Sequence, residues 1–422
     1  MTIALFSESY LPTKSGIVTV VIQLRDQLIK KGHRVLLVVP ETTPEFSTKN
    51  DPDFFRVPSR PLGLGTDQYM TFPKFKNILE FIKKNNVDLI HSHTEFAIAG
   101  AGLKCAKKLH IPCICTTHTM WTEFYRYYLP CSFLISKKWV KMYMNHFYGQ
   151  FDSLIGVSTK ARNYFKRPDM IPQTPSVIVP NAIDESKFQL KHLTAAQKKE
   201  IRAKYGIGEK DVVLLFLGRV AEEKRVFELI KMCQNLVAEK DNCKVLFVGS
   251  GPAYADCLKL ADKEIKEKKL IFTGFIEWTQ VHNFYESSDI FITASLSEMH
   301  SMTILEAELS ALPIVVRRDD SYLDSVFDGK NGYVCDSEDE MKDKLIELID
   351  NSRKRKAFGK KSLEITKNFS IENHVKRTLF VYDEVMKAYP GKIDDEDVMK
   401  RMAKKIPNIA YTDVRGGQCK NR

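Results

Sequence analysis

Long apolar runs are missing from this 422-residue chain. None reaches the ~18 to 20 residues that a membrane-spanning helix needs, and the N-terminus lacks the basic-then-apolar pattern of a secretory signal. A protein made and kept in the cytosol is the expectation. Paired cysteines are missing too. The nine, at positions 105, 113, 115, 131, 233, 243, 257, 335 and 419, are odd in number and show no CxxC spacing. That argues against a zinc ribbon or a dithiol redox site and leaves buried small hydrophobes and free thiols of a reducing compartment. Nothing resembles a helix-turn-helix, a zinc finger or an RNA-recognition strand pair, so no nucleic-acid partner is expected.

Hydrophobic residues make up 44% of the chain, enough to fill two domains of roughly 180 to 200 residues each. The net charge of +11 is unevenly placed. Residues 1–180 hold 23 Lys and Arg against 13 Asp and Glu, and the remainder 41 against 40, so the basic character belongs to the N-terminal half. Without a nucleic-acid motif, a basic half suits an anionic membrane face, and lysines on solvated helix faces are the alternative.

The chain opens with a short apolar strand, Thr2 to Phe6, the loop SESYLPTKSGI, a helix from Val18 to Lys31 closed by Gly32, and a strand from Arg34 to Val39. That is the beginning of a doubly wound α/β domain. Gly16 sits where a side chain would keep the helix start from a ligand. A Pro- and polar-rich excursion over 41–68 surrounds a short strand at Phe54 to Val57. A helix from about Lys74 then follows, with Ile78, Leu79 and Ile82 on one face and Lys74, Lys76, Lys83 and Lys84 along it; it reads as core-packing or as interfacial. A second interfacial candidate is Phe133 to Phe151, where Trp139, Tyr143, Phe147 and Tyr148 accompany Lys137, Lys138 and Lys141.

DLIHSH ends a strand in polar residues, and the alternation of His91, His93 and Glu95 imitates a metal site. The strand Ile111 to Thr116 delivers Thr117, His118 and Thr119 to its carboxyl end, the ligand-binding edge of such a sheet. Domain two starts after VIVPNAID. There the strand Val212 to Leu217 leads into GRVAEEKR, whose Arg219 and Lys224 can cradle two phosphates. The stretch Asp289 to Val316 organises the rest. Its strand, Ile290 to Ala294, is joined by Ser295 to Ser301 to a helix starting at Met302, so free N–H groups and a positive helix end meet at one point. Glu298 in that loop and Glu306, about two turns on, suit neutral hydroxyls such as those of a sugar; two solvated surface acids are the bland alternative.

The E-x7-E pair inside SEMHSMTILEA resembles the signature of the retaining family 4 glycosyltransferases. ALFSESYLPTKSGIVTVV, HSHTEF at 91–96 and THTMWTEFYRYY at 117–128 resemble the bacterial diacylglycerol glycosyltransferases in particular. The resemblance spans about residues 1–390. It implies an α/β, GT-B type fold: two facing Rossmann-like domains at 1–180 and 181–370, a crossover helix at 371–389 and a polar tail at 390–422. It implies His118 and Glu298 as catalytic residues, with Gly16, Arg219, Lys224, Ile276, His300, Ser301, Met302 and Glu306 at the donor. Glu298 holds sugar hydroxyls in this family, Glu306 the ribose, and backbone groups around Gly274, Phe275 and Ile276 read the base. No cofactor and no metal are implied. The partners implied are UDP-glucose or UDP-galactose, diacylglycerol and an anionic membrane on the inner face of the cell membrane, met through the eight residues Lys74, Lys76, Lys83, Lys84, Lys137, Lys138, Trp139 and Lys141. A phosphoinositide or saccharide acceptor fits the same donor residues, and a nucleotide-sugar-binding protein without turnover is the reading from another class. Two departures stand out: Ser15-Gly16 replaces the family's frequent pair of glycines, and Met299-His300-Ser301 fills a turn that is commonly small.

Overall fold

The computed structural model describes residues 1–13, 15–43, 51–62, 69–128, 132–185 and 192–406. Its chain forms two compact units, one made of Met1–Ala182 with Ile371–Pro407 and the other built on Ile183–Ser370. The chain thus leaves the first unit once and returns to it at Ile371.

The first unit holds β1 (Thr2–Phe6), α1 (Gly16–Lys30), β2 (Arg34–Pro40), β3 (Phe54–Val57), β4 (Ser59–Pro61), β5 (Tyr69–Thr71), α2 (Phe75–Lys84), β6 (Leu89–Ser92), α3 (Ala97–Leu109), β7 (Cys113–Thr117), α4 (Trp121–Tyr128), α5 (Lys137–Tyr148), β8 (Ser153–Gly156), α6 (Thr159–Lys166) and β9 (Ser176–Ile178). Seven of its strands form one parallel sheet, ordered β3-β2-β1-β6-β7-β8-β9, and β4 with β5 makes a small antiparallel ladder. Helices on the faces of a parallel sheet bury its strands on both sides, which is why these strands read as continuous apolar runs. Ile3, Ala4, Leu5 and Phe6 are fully buried. β1 lies between β2 and β6, so the strand order reverses there and the loops after β1 and β6 diverge. Ligands bind at such a point in open α/β sheets.

The second unit holds α7 (Ala195–Lys204), β10 (Val212–Leu217), α8 (Val226–Glu239), β11 (Cys243–Val248), α9 (Tyr254–Leu260), α10 (Asp262–Lys266), β12 (Leu270–Gly274), α11 (Trp278–Glu286), β13 (Ile290–Thr293), α12 (Met302–Leu309), β14 (Ile314–Arg317), β15 (Gly332–Cys335), α13 (Glu338–Asp350) and α14 (Ser352–Thr366). Its six strands are all parallel, in the order β12-β11-β10-β13-β14-β15. Apolar side chains alternate along β10: Val212, Leu214 and Phe216 join one core layer, while Val213 and Leu215 join the layer on the other face. The reversal point lies between β10 and β13.

Two helices complete the first unit, α15 (Ile371–Ala388) and α16 (Asp395–Lys405). The segment expected to be a polar tail therefore contains a helix. Val398, Met399 and Met402 give α16 a buried stripe within its charged sequence, and Asp394 caps it by accepting from the N–H groups of Glu396 and Asp397. Asp395 then accepts from Ser176 N at 2.7 Å and from Lys166 Nζ at 2.6 Å, fastening α16 to β9 and α6. Residues 407–422 of the expected tail lie outside the described residues. No described helix is long and apolar enough to cross a membrane.

Candidate active site

Beside the reversal point of the second unit, the loops after β10, β11 and β12 come together backbone to backbone. A methyl group on Gly249 would lie 2.0 Å from the Gly218 carbonyl oxygen, and one on Gly251 would lie 2.3 Å from that of Val220, so only glycine fits at either place. Gly249 N donates to Gly274 O at 3.1 Å, and Gly218 N donates to Val248 O at 3.0 Å. This packing leads the chain after β10 to Arg219 and Lys224.

Lys224 Nζ pairs with Glu298 Oε1 at 2.6 Å, joining the loop after β10 to the loop after β13. Ser295 donates its hydroxyl to the same carboxylate oxygen at 2.9 Å, and its own carbonyl accepts from the buried Tyr322 hydroxyl at 2.7 Å. Both charged side chains are about one-fifth exposed, so the pair remains open to a ligand while holding its geometry. Arg219 is about half exposed and reaches Glu223 at 3.3 Å, which leaves most of the guanidinium's donors facing outward.

Ser301 precedes α12 but makes no side-chain capping bond to it; its hydroxyl lies 3.0 Å from that of Thr303. Met302 and Ile276 are partly buried against the core on this face of the sheet. His300 is buried, with its ring 5.3 Å from the ring of Phe369. Glu306, one turn into α12, accepts from the hydroxyl of Tyr285 at 2.7 Å. Burial pushes its carboxyl up to about 7, against a smaller downward pull from the Tyr285 hydrogen bond. Tyr285 on α11, Ser295 and Tyr322 orient the two acids. The only trace of this role in the sequence is a hydroxyl among core residues, which is a common occurrence.

In the first unit, the register of β6 on β7 sets Ser92 beside Cys115, so His93 and His118 leave neighbouring strand ends close together. The rings of His91 and His93 have centroids 4.1 Å apart, and those of His93 and His118 are nearly parallel, with centroids 5.7 Å apart. His91 Nδ1 meets the Tyr382 hydroxyl at 2.7 Å, and its Nε2 meets the Thr116 hydroxyl at 2.7 Å. His93 Nδ1 lies 3.4 Å from His118 Nε2. Burial holds the imidazoles of His91 and His118 down at about 3, and that of His93 well below its ordinary value, so all three are neutral near pH 7.

The metal imitation of His91, His93 and Glu95 does not form, because both nitrogens of His91 are occupied and Glu95 turns away. The Glu95 carboxylate accepts from the hydroxyls of Tyr148 at 2.9 Å and Thr117 at 3.4 Å, and burial pushes it up to about 8. No cluster of three or more potential ligands occurs among the described residues. Glu8, in the loop after β1, accepts from Thr94 Oγ1 and from the N–H groups of Ile98 and Ala99, so it caps α3. Gly16 opens α1 behind the Ser15 cap, and a methyl group there would meet nothing within 4 Å.

The interfacial candidates divide. On α2, Ile78 and Ile82 are buried, and Lys74, Lys76, Lys83 and Lys84 are exposed. On α5, Phe147 and Tyr148 belong to the core, contrary to the reading of that stretch as a row of interface aromatics. They recur one turn after Val140 and Met144 on the buried face. Trp139, Met142 and Tyr143 are exposed, as are Phe133 and Leu134 just before the helix. Lys137 pairs with Glu123 at 2.8 Å and Lys141 with Asp169 at 2.7 Å, while Lys138 has no carboxylate partner among the described residues.

Comparison with known proteins agrees with this architecture. Residues 14–187 match the model of Glycosyltransferase Family 4, and residues 197–365 match that of Glycosyl transferases group 1. The chain is 29% identical over 389 residues to an alpha-monoglucosyldiacylglycerol synthase of Acholeplasma laidlawii, covering 90% of this chain and 96% of that protein. It is 30% identical over 330 residues to the protein of the same name from Streptococcus pneumoniae, covering 78% and 74% respectively. Among solved structures, Anabaena HepE in complex with UDP superposes with a TM-score of 0.71 at 16% identity, over 91% of this chain and all of that one. Two parallel Rossmann-like sheets, with the group 1 match on the second, make this chain a retaining, GT-B type member of glycosyltransferase family 4.

Proposed function

We propose that this glycosyltransferase moves glucose or galactose from a UDP-linked donor to diacylglycerol, at the anionic inner face of the cell membrane. The observation that carries the donor half is the Lys224–Glu298 pair at the reversal point of the second sheet, with Glu306 on the helix that starts beside it. An arriving diphosphate offers Lys224 a stronger partner. Glu298 is then released to accept from sugar hydroxyls. Arg219, Lys224 and the N–H groups at His300, Ser301 and Met302 take the charge that develops on the departing diphosphate. Glu306 accepts from the ribose, and the backbone at Ile276 meets the base. The helix start at Gly16, where no side chain stands in the way, is assigned to the diphosphate, and His118 to a hydroxyl of the transferred sugar. In this scheme no metal is needed, because cationic side chains do the neutralising.

The acceptor half is supported by the names of the two relatives and by the surplus of lysine and arginine in residues 1–180. Lys74, Lys76, Lys83 and Lys84 on α2, with Lys137, Lys138, Trp139 and Lys141 on α5, are the proposed membrane contacts. The test is a donor panel of UDP-glucose, UDP-galactose and GDP-mannose, offered to the purified full-length protein with vesicles of diacylglycerol and phosphatidylglycerol. A glycosyl diacylglycerol of retained anomeric configuration, formed equally with and without chelator, is expected. Transfer to a saccharide or to phosphatidylinositol, with diacylglycerol left untouched, would replace the acceptor; a chelator-sensitive reaction would replace the metal-free scheme.

A further inference from the structure

His93 is 1% exposed, and its Nε2 is sealed without a hydrogen-bond partner. Its Nδ1 faces His118 Nε2 at 3.4 Å. A neutral imidazole carries one proton, on one nitrogen or the other. If that proton sat on Nε2, the ring would bury an N–H with nowhere to donate, which proteins avoid more strictly than a buried lone pair without a donor. The proton therefore sits on Nδ1, and the Nδ1–H donates to His118 Nε2.

The consequence passes to the next ring. With its Nε2 lone pair engaged, neutral His118 must carry its own proton on Nδ1, the tautomer opposite to the one imidazole prefers in water. Among the described residues Nδ1 of His118 makes no hydrogen bond, and the residue, though deep enough for burial to keep it neutral, leaves part of its surface exposed. What it presents to a ligand is thus an N–H donor and no free lone pair. The packing of the column enforces this geometry: the His93 ring is held between His91 and His118, and His91 is itself pinned at both nitrogens by Tyr382 and Thr116. The titratable groups that act on the pair are His91 and His374; burial keeps both neutral, helped by the neighbouring histidines at His91 and by Arg377 at His374.

We infer that His93 is a positioning residue that fixes the tautomer of His118, so that His118 serves the reaction as a hydrogen-bond donor to a ligand oxygen and not as the base that takes a proton from the acceptor hydroxyl. The donor role rests on the glycosyltransferase reading above; the tautomer does not.

The two are tested separately. In full-length protein labelled with 15N-histidine, long-range ring correlations report which nitrogen of His118 carries hydrogen, with the signal identified by its loss in His118→Gln. The Nδ1–H form is expected in the parent protein and in His93→Asn, whose side-chain amide reproduces the Nδ1 donor. In His93→Phe, His118 should revert to the Nε2–H form. An Nε2–H His118 in the parent, or an unchanged tautomer in His93→Phe, overturns the inference whether or not any transfer is detected. In the transfer assay, His93→Phe should lower kcat about 10-fold with donor KM unchanged, in line with one lost hydrogen bond, and His93→Asn should recover most of it. Equal losses in two folded variants also overturn it, whereas absence of transfer by the parent counts against the proposed function alone.

Discussion

The two sheet edges that bear the proposed chemistry are built on opposite electrostatic plans. In the second unit the edge is charged and compensated: Lys224 against Glu298, Arg219 against Glu223, and Glu306 held by a phenol. In the first unit the edge is a column of histidines that burial keeps neutral, although that half of the sequence carries nearly all the net positive charge. An edge of paired charges can exchange partners when an anion arrives. A neutral, desolvated column cannot, and it offers only oriented N–H and O–H groups. The first plan suits binding and discharging a diphosphate, and the second suits holding neutral hydroxyls.

The sharpest way to break the comparison is to remove a cation from the charged edge. Lys224→Ala takes away the proposed transition-state charge partner and strips Glu298 of the cation that would otherwise stand between it and a bound diphosphate, so turnover at saturating donor should fall about 100-fold or more. Arg219→Ala should act in the same direction. A change confined to donor KM in both variants would mean that these cations bind ground and transition states equally.

The neutral edge should show itself in acid. His91 is fully buried and held at about 3, whereas an unfolded histidine titrates near 6.5. Below 6.5 the unfolded chain takes up a proton that the folded one refuses, so stability is lost as pH falls from about 6.5 towards 3 and is undiminished above that window. At pH 5 this amounts to about 2 kcal/mol for His91. Urea unfolding between pH 7.5 and 5 should reveal the slope, and a His91→Gln variant that still folds should lose about one proton of uptake from it. An identical slope in the variant would show that His91 does not titrate in this way.

Glu306 tests the other edge more gently. The ribose contact proposed for Glu306 is one made alike in ground and transition states, so Glu306→Gln should raise donor KM about 10-fold with little change in kcat. Because burial holds this carboxyl at about 7, the ionised form, the better acceptor for two hydroxyls, gains as pH rises, and donor KM should fall between pH 6 and 8. Tyr285→Phe removes the hydrogen bond that opposes the shift and should move the midpoint above 7. A midpoint that stays in place would detach Tyr285 from Glu306.

Much of the frame is legible in the sequence alone, because parallel strands buried on both faces read as apolar runs and each is followed by a helix of 3.6-residue period. The organising stretch is legible for a different reason: Glu298 and Glu306 lie within one strand-loop-helix unit, where spacing converts directly into position. What the sequence hides are the partners brought in by the tertiary fold. Lys224 finds Glu298 across 74 positions, Tyr285 finds Glu306 across 21, and Tyr382 reaches His91 across 291. Phe147 and Tyr148 mislead because aromatics among lysines fit a membrane surface and a helix core equally well until the face is known. α16 is missed because three apolar residues in a charged run suffice once a sheet edge and Lys166 are there to receive it.

The smallest expected effect concerns the surface of the first unit, where the proposed membrane contacts mix exposed apolar groups with lysines. A lysine near an anionic surface contributes about 1 kcal/mol, but a lysine already paired within the protein gives up part of that partner when it turns to lipid. Lys137 and Lys141 are paired in this way, whereas Lys138 meets no carboxylate among the described residues. Lys138→Gln should therefore weaken vesicle binding about 5-fold at low salt, more than Lys137→Gln or Lys141→Gln. Trp139, a residue 65% exposed, adds an apolar contribution that salt does not screen, so Trp139→Ala should lower the binding that survives at high salt and leave the salt-sensitive part in place. Co-sedimentation of the full-length protein with vesicles of graded phosphatidylglycerol content, across salt, separates the two. Equal losses from the three lysines would show that the internal ion pairs do not compete with lipid. Binding indifferent to anionic lipid would take the membrane contact away from this face and leave a soluble acceptor for the enzyme.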